Sequence, residues 1–348
     1  MMNRLMSFHA RNVRALLSIR YKPAAIVLML LIGCLLTSIV SIGLGEMRIS
    51  PVNVVRGVIG IGGDDYTLVI RKLRLPRVAV ALLAGASLAA AGAILQGMIR
   101  NPLASPDILG VTGGASVAAI AFMNYLLGTV TIRLLPAAAM LGGIIVAGLL
   151  YALAWKRGVT PMRLVLVGVG VSALMSGMTT MLLLFNPRNE ASQAYFWLTG
   201  SVYGANWEHV LTLLPWTALL LPWAFMLARQ INVLQLGDEV ATGAGSHVER
   251  NRLLLLLISV ALAASAVSVA GGIGFVGLIA PHMARKLAGA NFRVILPVAV
   301  LLGAIVVVLA DLAGRVLFLP MDVPAGVFTS AVGAPFFIYL LYSRRNAR

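Results

Sequence analysis

Long apolar runs recur along the whole of this 348-residue chain, near residues 24–44, 77–98, 108–127, 134–155, 164–185, 210–228, 253–270, 273–288, 294–316 and 324–342. Roughly 20 apolar residues in a helix cross the hydrocarbon core of a bilayer. Lipid offers backbone polar groups no partner, so each run must satisfy its own hydrogen bonds and is expected to be helical. The expectation is an all-α, polytopic membrane protein with about ten transmembrane helices. The run at 273–288 differs in kind, because Pro281, Arg285 and Lys286 interrupt it, as in a broken or re-entrant helix lining a cavity. A soluble fold is excluded by composition: 60% hydrophobic and 11% charged residues, with mean hydropathy +0.96, cannot cover a water-facing shell.

The net charge of +16 does not point to nucleic acid, since the basic residues sit between apolar runs and not on an aromatic-interleaved patch. Positive loops stay cytoplasmic. An inside N-terminus puts Arg4, Arg11, Arg14, Arg20, Lys22, Arg100, Lys156, Arg157, Arg163, Arg229, Arg250, Arg252, Arg285, Lys286, Arg293, Arg344, Arg345 and Arg348 on that side, with both ends cytoplasmic. Residues 1–22 then form a basic cytoplasmic segment and 23–348 a single membrane domain. The first run has no convincing cleavage site and reads as a retained helix. Against the rule, Arg48, Arg56, Arg71, Lys72, Arg74 and Arg77 crowd onto the outer side. Two readings stand: arginines snorkelling into headgroups, or a patch that docks an acidic partner.

Catalytic chemistry is missing from the chain. No lysine follows a glycine, so there is no phosphate-binding G-x-x-x-x-G-K-[ST] loop, and ATP must be used by another chain. There is no H-E-x-x-H and no paired carboxylate, and His9, His209, His247 and His282 are scattered. Cys34 is the single cysteine, which forms neither a disulfide nor a cysteine metal site within one chain. No catalytic and no metal residues are therefore assigned, and the chain is not expected to be an enzyme.

The segment from Arg229 to Arg252 is the most informative polar stretch, with two short helices expected near 234–250. Asp238 and Glu239 suit a helix N-terminal turn, Gly243 and Gly245 permit a break, and Ser246 with Glu249 forms a capping box. Connections between helices are usually shorter, so this one is expected to dock another protein. Gly85, Ala89 and Gly92, like Gly168 and Ser172, put small residues at helical spacing and favour close helix packing.

Four motifs carry a family resemblance. They are R-L-P-R-V-A-V-A-L-L-A-G-A-S-L-A-A-A-G-A-I-L-Q-G-M-I-R-N-P-L-A-S-P-D-I-L-G-V from Arg74 to Val111, G-F-V-G-L-I-A-P-H-M-A-R from Gly274 to Arg285, A-D-L-A-G-R from Ala310 to Arg315, and P-A-G-V-F-T-S-A-V-G-A-P-F-F from Pro324 to Phe337. In this order they resemble the FecCD-type permeases for ferric siderophores, haem and cobalamin, with F-W-L-T-G-S at Phe196 to Ser201 nearest to ferric dicitrate and siderophore subunits. The resemblance implies a type II ABC importer permease fold in the bacterial cytoplasmic membrane. It implies a second permease subunit, identical or paralogous, ABC ATPase subunits that hold ATP and Mg, and a periplasmic or lipid-anchored substrate-binding protein. No cofactor is implied in this chain.

By the same resemblance, Arg74, Arg77 and Arg315 face acidic residues of the binding protein. Gly237, Asp238, Glu239, Ala241, Gly243 and Gly245 dock in the ATPase, and Asn101, Leu103, Pro161, Met162 and Leu166 gate the path. Where relatives carry small hydroxyl residues this chain has Pro161 and Met162, and Met162 also reads as a gap-filling apolar residue. Asp311 lies four residues before Arg315, so a local ion pair on one helix face is expected of them. The alternatives are an importer of haem or cobalamin, and a secondary transporter driven by an ion gradient. The second needs ionisable residues near the midplane, where Asp311, close to a helix end, is the only candidate.

Overall fold

The computed structural model describes the backbone of residues 2–345 except 62, 63, 127, 128, 157, 186 and 187. Side chains are described from Pro23 onward except at 62–65, 127, 128, 157, 186–191, 340, 341 and 343–348. The basic segment expected at 1–22 thus lies outside the described side chains. Among the described residues the fold is helical, and an isolated bridge pairs Trp155 with Val159.

The helices are α1 (Met2–Gly43), α2 (Pro51–Ile59), α3 (Asp64–Leu68), α4 (Leu75–Ile99), α5 (Val111–Tyr125), α6 (Leu135–Ala154), α7 (Pro161–Leu184), α8 (Arg188–Leu198), α9 (Trp207–Leu234), α10 (Asp238–Gly243), α11 (Val248–Ala270), α12 (Val276–Ala288), α13 (Phe292–Val316) and α14 (Ala325–Arg345). A π-helical stretch, Val69–Arg74, runs unbroken into α4; Pro76 has no N–H to return to that stretch, and the Trp207 indole N–H donates to the Arg71 carbonyl there (2.9 Å).

Seven helices among the described residues are long and apolar enough to cross a membrane. The other three expected runs give shorter pieces: α5 has 15 residues, α12 has 13, and the described apolar part of α14 is Ala325–Tyr339. The shortening has local causes. The loop 101–110 ends on Gly110 at φ 77°, which starts α5 late. The backbone of 271–275 is not helical, and α12 begins after Phe275 at φ 65°, a rare value for a side-chain-bearing residue.

The centre of the bundle is α4. Its span is 83% buried, against 11% for α1, and its sequence is rich in alanine and glycine because neighbours come within backbone contact. A Cβ on Gly85 would stand 2.3 Å from the Gly303 carbonyl oxygen of α13, and one on Gly92 would stand 1.8 Å from that of Gly277 in α12. Gly114 and Gly142 make the same contact between α5 and α6. Helices in lipid gain little from burying apolar surface against one another, so close packing and interhelical hydrogen bonds hold them. Such bonds occur at Ser87 with Thr217 (3.0 Å) and from Ser259 to the Ala91 carbonyl (2.9 Å), each worth on average about 0.6 kcal/mol.

Candidate functional site

The two ends of α4 carry separate charged clusters. At its start, Arg74 and Arg77 are three residues apart and so lie on one side of the chain. Arg74 is buried and donates to the carbonyls of Ile42 and Met47, both at 2.7 Å. Arg315, equally buried on α13, donates to the Ser41 carbonyl at 2.6 Å and to its hydroxyl at 3.0 Å. Arg77 is held by two carboxylates. Its Nε and Nη2 donate to Asp311 at 2.9 and 2.8 Å, its Nη1 and Nη2 to Asp322 at 3.2 and 2.9 Å, and the Tyr203 ring lies 5.5 Å from its Cζ.

The fold brings the three arginines expected to dock a partner to one place, and each already has partners within the chain. The local pair expected between Asp311 and Arg315 is not formed. Asp311 turns to Arg77 across the α4–α13 contact, because a bidentate fork satisfies a buried carboxylate better than a helix neighbour already bonded to Ser41. Arg48, Arg56, Arg71 and Lys72 are exposed cations of this end, and Arg71 is tied to the carbonyls of Gly57 and Val58.

At the far end of α4, α10 stands between α9 and α11. Gly237 at φ 109° turns the chain into it and Gly245 at φ 79° turns the chain out, whereas Gly243 is ordinary helix. Asp238 and Glu239 open α10 as expected, and Ala241 faces inward while Glu239 and Val240 are exposed. Asp238 receives hydrogen bonds from Arg100 (3.1 Å) and from the buried Arg252 (2.9 Å). The expected capping box of Ser246 and Glu249 is absent. Glu249 instead accepts from the Val159 N–H (3.3 Å) and from Arg252 (3.4 Å), and Ser246 accepts from Asn251 (3.0 Å). The turn before α7 competes for Glu249 and wins.

A cavity of about 400 Å³ opens beside this cluster, lined by Ile99, Arg100, Asn101, Thr160, Pro161, Met162, Val165 and Asp238. Three of the expected gate residues thereby meet a residue of α10. Leu103 lies outside the cavity, its N–H bonded to the Asn101 side chain (2.9 Å), and Leu166 is exposed one turn along α7 from Met162.

A second cavity, about 740 Å³, was not anticipated from the sequence. Ser105, Asp107, Thr112, Ser116, Ser172, Ser176, Thr179 and Thr180 give it a hydroxyl-rich wall, and Leu198 of α8 and Phe337 of α14 close other sides. Burial pushes the Asp107 carboxyl up, opposed by the Thr112 hydroxyl and the Phe275 backbone N–H. Its signal was available in α7, where Ser172, Ser176 and Thr180 recur every four residues; Ser176 and Thr180 donate to carbonyls one turn back, and Ser172 to the Asp107 carbonyl. Among the described residues, no group of three or more His, Cys, Asp or Glu is placed to hold a metal ion.

Residues 30–343 match the FecCD transport family. The chain is 50% identical to the achromobactin transport system permease protein CbrC of Dickeya dadantii, over 88% of each chain. It is 49% identical to the probable siderophore transport system permease protein YfhA of Bacillus subtilis, over 94% of this chain and 97% of that one. A solved inward-facing structure of a metal-chelate type ABC transporter superposes with a TM-score of 0.82 at 31% identity, covering 92% of this chain and 99% of that one. With the match running through nearly the whole membrane bundle and both charged clusters, the chain belongs to the FecCD transport family.

Proposed function

We propose that this chain is the permease subunit of an ATP-binding cassette importer that carries ferric siderophores across the bacterial cytoplasmic membrane. Two such subunits, identical or paralogous, enclose the path, each a single domain from residue 23 onward. The seven long helices and three short ones give about ten crossings with both termini cytoplasmic. The end bearing α10 faces the cytoplasm and the end bearing Arg77 faces outward.

The observation that carries this reading is the 400 Å³ cavity, where Asn101, Pro161 and Met162 share a wall with Asp238 of α10. An ATPase that grips α10, through Gly237, Glu239, Gly243, Gly245 and the exposed Leu236 and Val240 around the inward-facing Ala241, pulls on Asp238. Asp238 pulls on Arg252, and Arg252 with Glu249 holds the turn that starts α7. Mechanical work done on α10 thereby reaches Pro161, Met162, Leu103 and Leu166 through a chain of charge-assisted hydrogen bonds. At the other end a loaded binding protein docks over Arg74, Arg77 and Arg315, with Arg48, Arg56 and Lys72 as an exposed basic rim that steers acidic surfaces. The hydroxyl-rich cavity suits a bulky polar chelate in transit, since hydroxyls such as those of Ser116, Ser176 and Thr180, already bonded to their own helix, hold cargo weakly.

Reconstitution tests the proposal. Uptake of a ferric siderophore into proteoliposomes should require this permease, the ATPase, the binding protein and ATP together. Uptake by the permease alone, or uptake abolished by an ionophore and indifferent to ATP, would replace it with an ion-driven carrier.

A further inference from the structure

We infer that Asp322 is an intrachain stand-in for a carboxylate of the docking partner, and that an acidic partner reaches Arg77 by displacing it. The inference rests on the docking reading above. It answers a difficulty that reading meets: Arg77 is expected to receive an external carboxylate, yet its fork is already full.

The two edges of the Arg77 guanidinium are not equivalent. Asp311 sits on α13 with 3% of its side chain exposed, while Asp322 sits in the loop between α13 and α14 with 26% exposed. Breaking the first pair strands a buried charge. Breaking the second releases Asp322 into water, where a carboxylate needs no protein partner. Bond length does not separate the two, at 2.8–3.1 Å to Asp311 and 2.9–3.2 Å to Asp322, so exposure is the difference that counts. An incoming carboxylate can therefore take the outer edge while the inner edge stays whole. The surroundings favour the exchange. Arg74 and Arg315 make their hydrogen bonds only to neutral oxygens, with Glu46 the carboxylate nearest in charge to Arg74, and the buried Nε of Arg315 has no acceptor among the described residues. The cluster thus keeps one unused cationic donor.

Displacement would be felt along the chain. Val323 donates to the Gly314 carbonyl (3.2 Å) and Gly326, at the start of α14, donates to that of Gly200 (2.9 Å). A Cβ on Gly326 would stand 1.8 Å from the Thr199 carbonyl oxygen, so α14 and the 199–203 turn move together. That turn follows Leu198 and carries Tyr203 beside Arg77, while Leu198 and Phe337 of α14 both wall the hydroxyl-rich cavity. Asp322 thus fastens the two segments that close the cavity on this side, and carboxylate exchange at Arg77 unfastens them.

The experiment uses the complete permease–ATPase complex in nanodiscs and the loaded binding protein that co-purifies with it. Asp322→Asn keeps the shape of the loop and the Arg77–Asp311 pair while removing the internal competitor. It should tighten docking by about tenfold in Kd and raise ATP hydrolysis in the absence of binding protein. A spin label at Met321→Cys in a Cys34→Ser background should gain mobility when the wild-type complex docks its partner, and should already be mobile in Asp322→Asn. Unchanged or weaker docking by Asp322→Asn, or a label indifferent to docking, overturns the stand-in. The double reversal Arg56→Glu with Lys72→Glu separates the two readings. If it weakens docking while Asp322→Asn has no effect, the exchange alone is wrong, and if neither variant alters docking, the outward docking surface itself is wrong.

Discussion

The Arg77 and Asp238 clusters share a motif, a buried arginine bonded to two carboxylates, at opposite ends of a helix roughly 35 Å long. They bury those parts differently. In the first, Arg77 and Asp311 are both inside, with 11% and 3% of their side chains exposed, and only Asp322 looks out. In the second, Arg252 is inside at 2%, while Asp238 and Glu249 stand 39% and 49% exposed. The Asp238 end shows its acids to whatever approaches and lets the arginine act as an anchor. The Arg77 end hides its cation behind an acid. Under the proposed function a partner grips the Asp238 surface as it stands, whereas at the Arg77 end an approaching acid exchanges with one already bound. Burial of the carboxylate, and not the number of ion pairs, separates a surface ready for coupling from one that must first be unlocked.

The largest expected effect tests the buried half of that comparison. Arg77→Ala leaves Asp311 without its cation in the interior, and should cost about 3–5 kcal/mol, read as a large fall in the melting temperature of the detergent-solubilised protein. Adding Asp311→Asn should recover most of the loss. A single variant as stable as the wild type would mean that the pair is not desolvated. Next comes Arg252→Ala. Its carboxylates face water and need no rescue, so the loss is that of the hydrogen bonds to Asp238 and the Val159 carbonyl, about 1–3 kcal/mol. ATP hydrolysis should continue while siderophore uptake falls, because the link between α10 and α7 is cut. Equal losses of stability for the two arginines would erase the distinction between the two ends.

Packing offers a third and intermediate test. α4 spans both clusters, and Gly92 meets α12 where a Cβ would stand 1.8 Å from the Gly277 carbonyl. Gly92→Ala forces the helices apart and should cost about 1–3 kcal/mol, measured by thermal unfolding. Gly148, with open space around it, should accept alanine without loss.

Much of this was legible in the residues because lipid imposes a simple rule on the chain. Apolar runs of bilayer length became the seven long helices, and the spacing of Gly85, Ala89 and Gly92 announced the face on which α4 is crossed. The short helices were less legible. Their lengths depend on Gly110 and Phe275 in left-handed conformations, and hydropathy does not report backbone conformation. At the sites, the motifs named arginines that the fold gathers at one end of α4 and a hairpin that it sets at the other. Pairings across long sequence separations stayed hidden: Asp311 was read with Arg315, four residues away, and belongs to Arg77, 234 residues away. Glu249 was read as a cap for its own helix and serves the turn before α7. The hydroxyl wall went unnoticed because serine and threonine bonded within a helix look like filler until a cavity lies beside them.

The smallest expected change in stability sharpens the comparison most. Asp238→Asn is nearly isosteric, at a half-exposed position, and its two arginines keep other contacts: Arg252 retains the Val159 carbonyl and Glu249, and Arg100 faces solvent. Stability should therefore change by about 0–1 kcal/mol, within a few degrees of melting temperature. Uptake should respond far more, because Asp238 is where α10 holds both Arg252 and the Arg100 end of α4. The same logic predicts a salt dependence. Raising ionic strength should imitate Asp238→Asn in the wild type by screening the exposed Arg100–Asp238 pair, while leaving the Arg77–Asp311 pair intact. Should salt and Asp238→Asn depress uptake additively, the coupling would run through some contact of α10 other than this carboxylate.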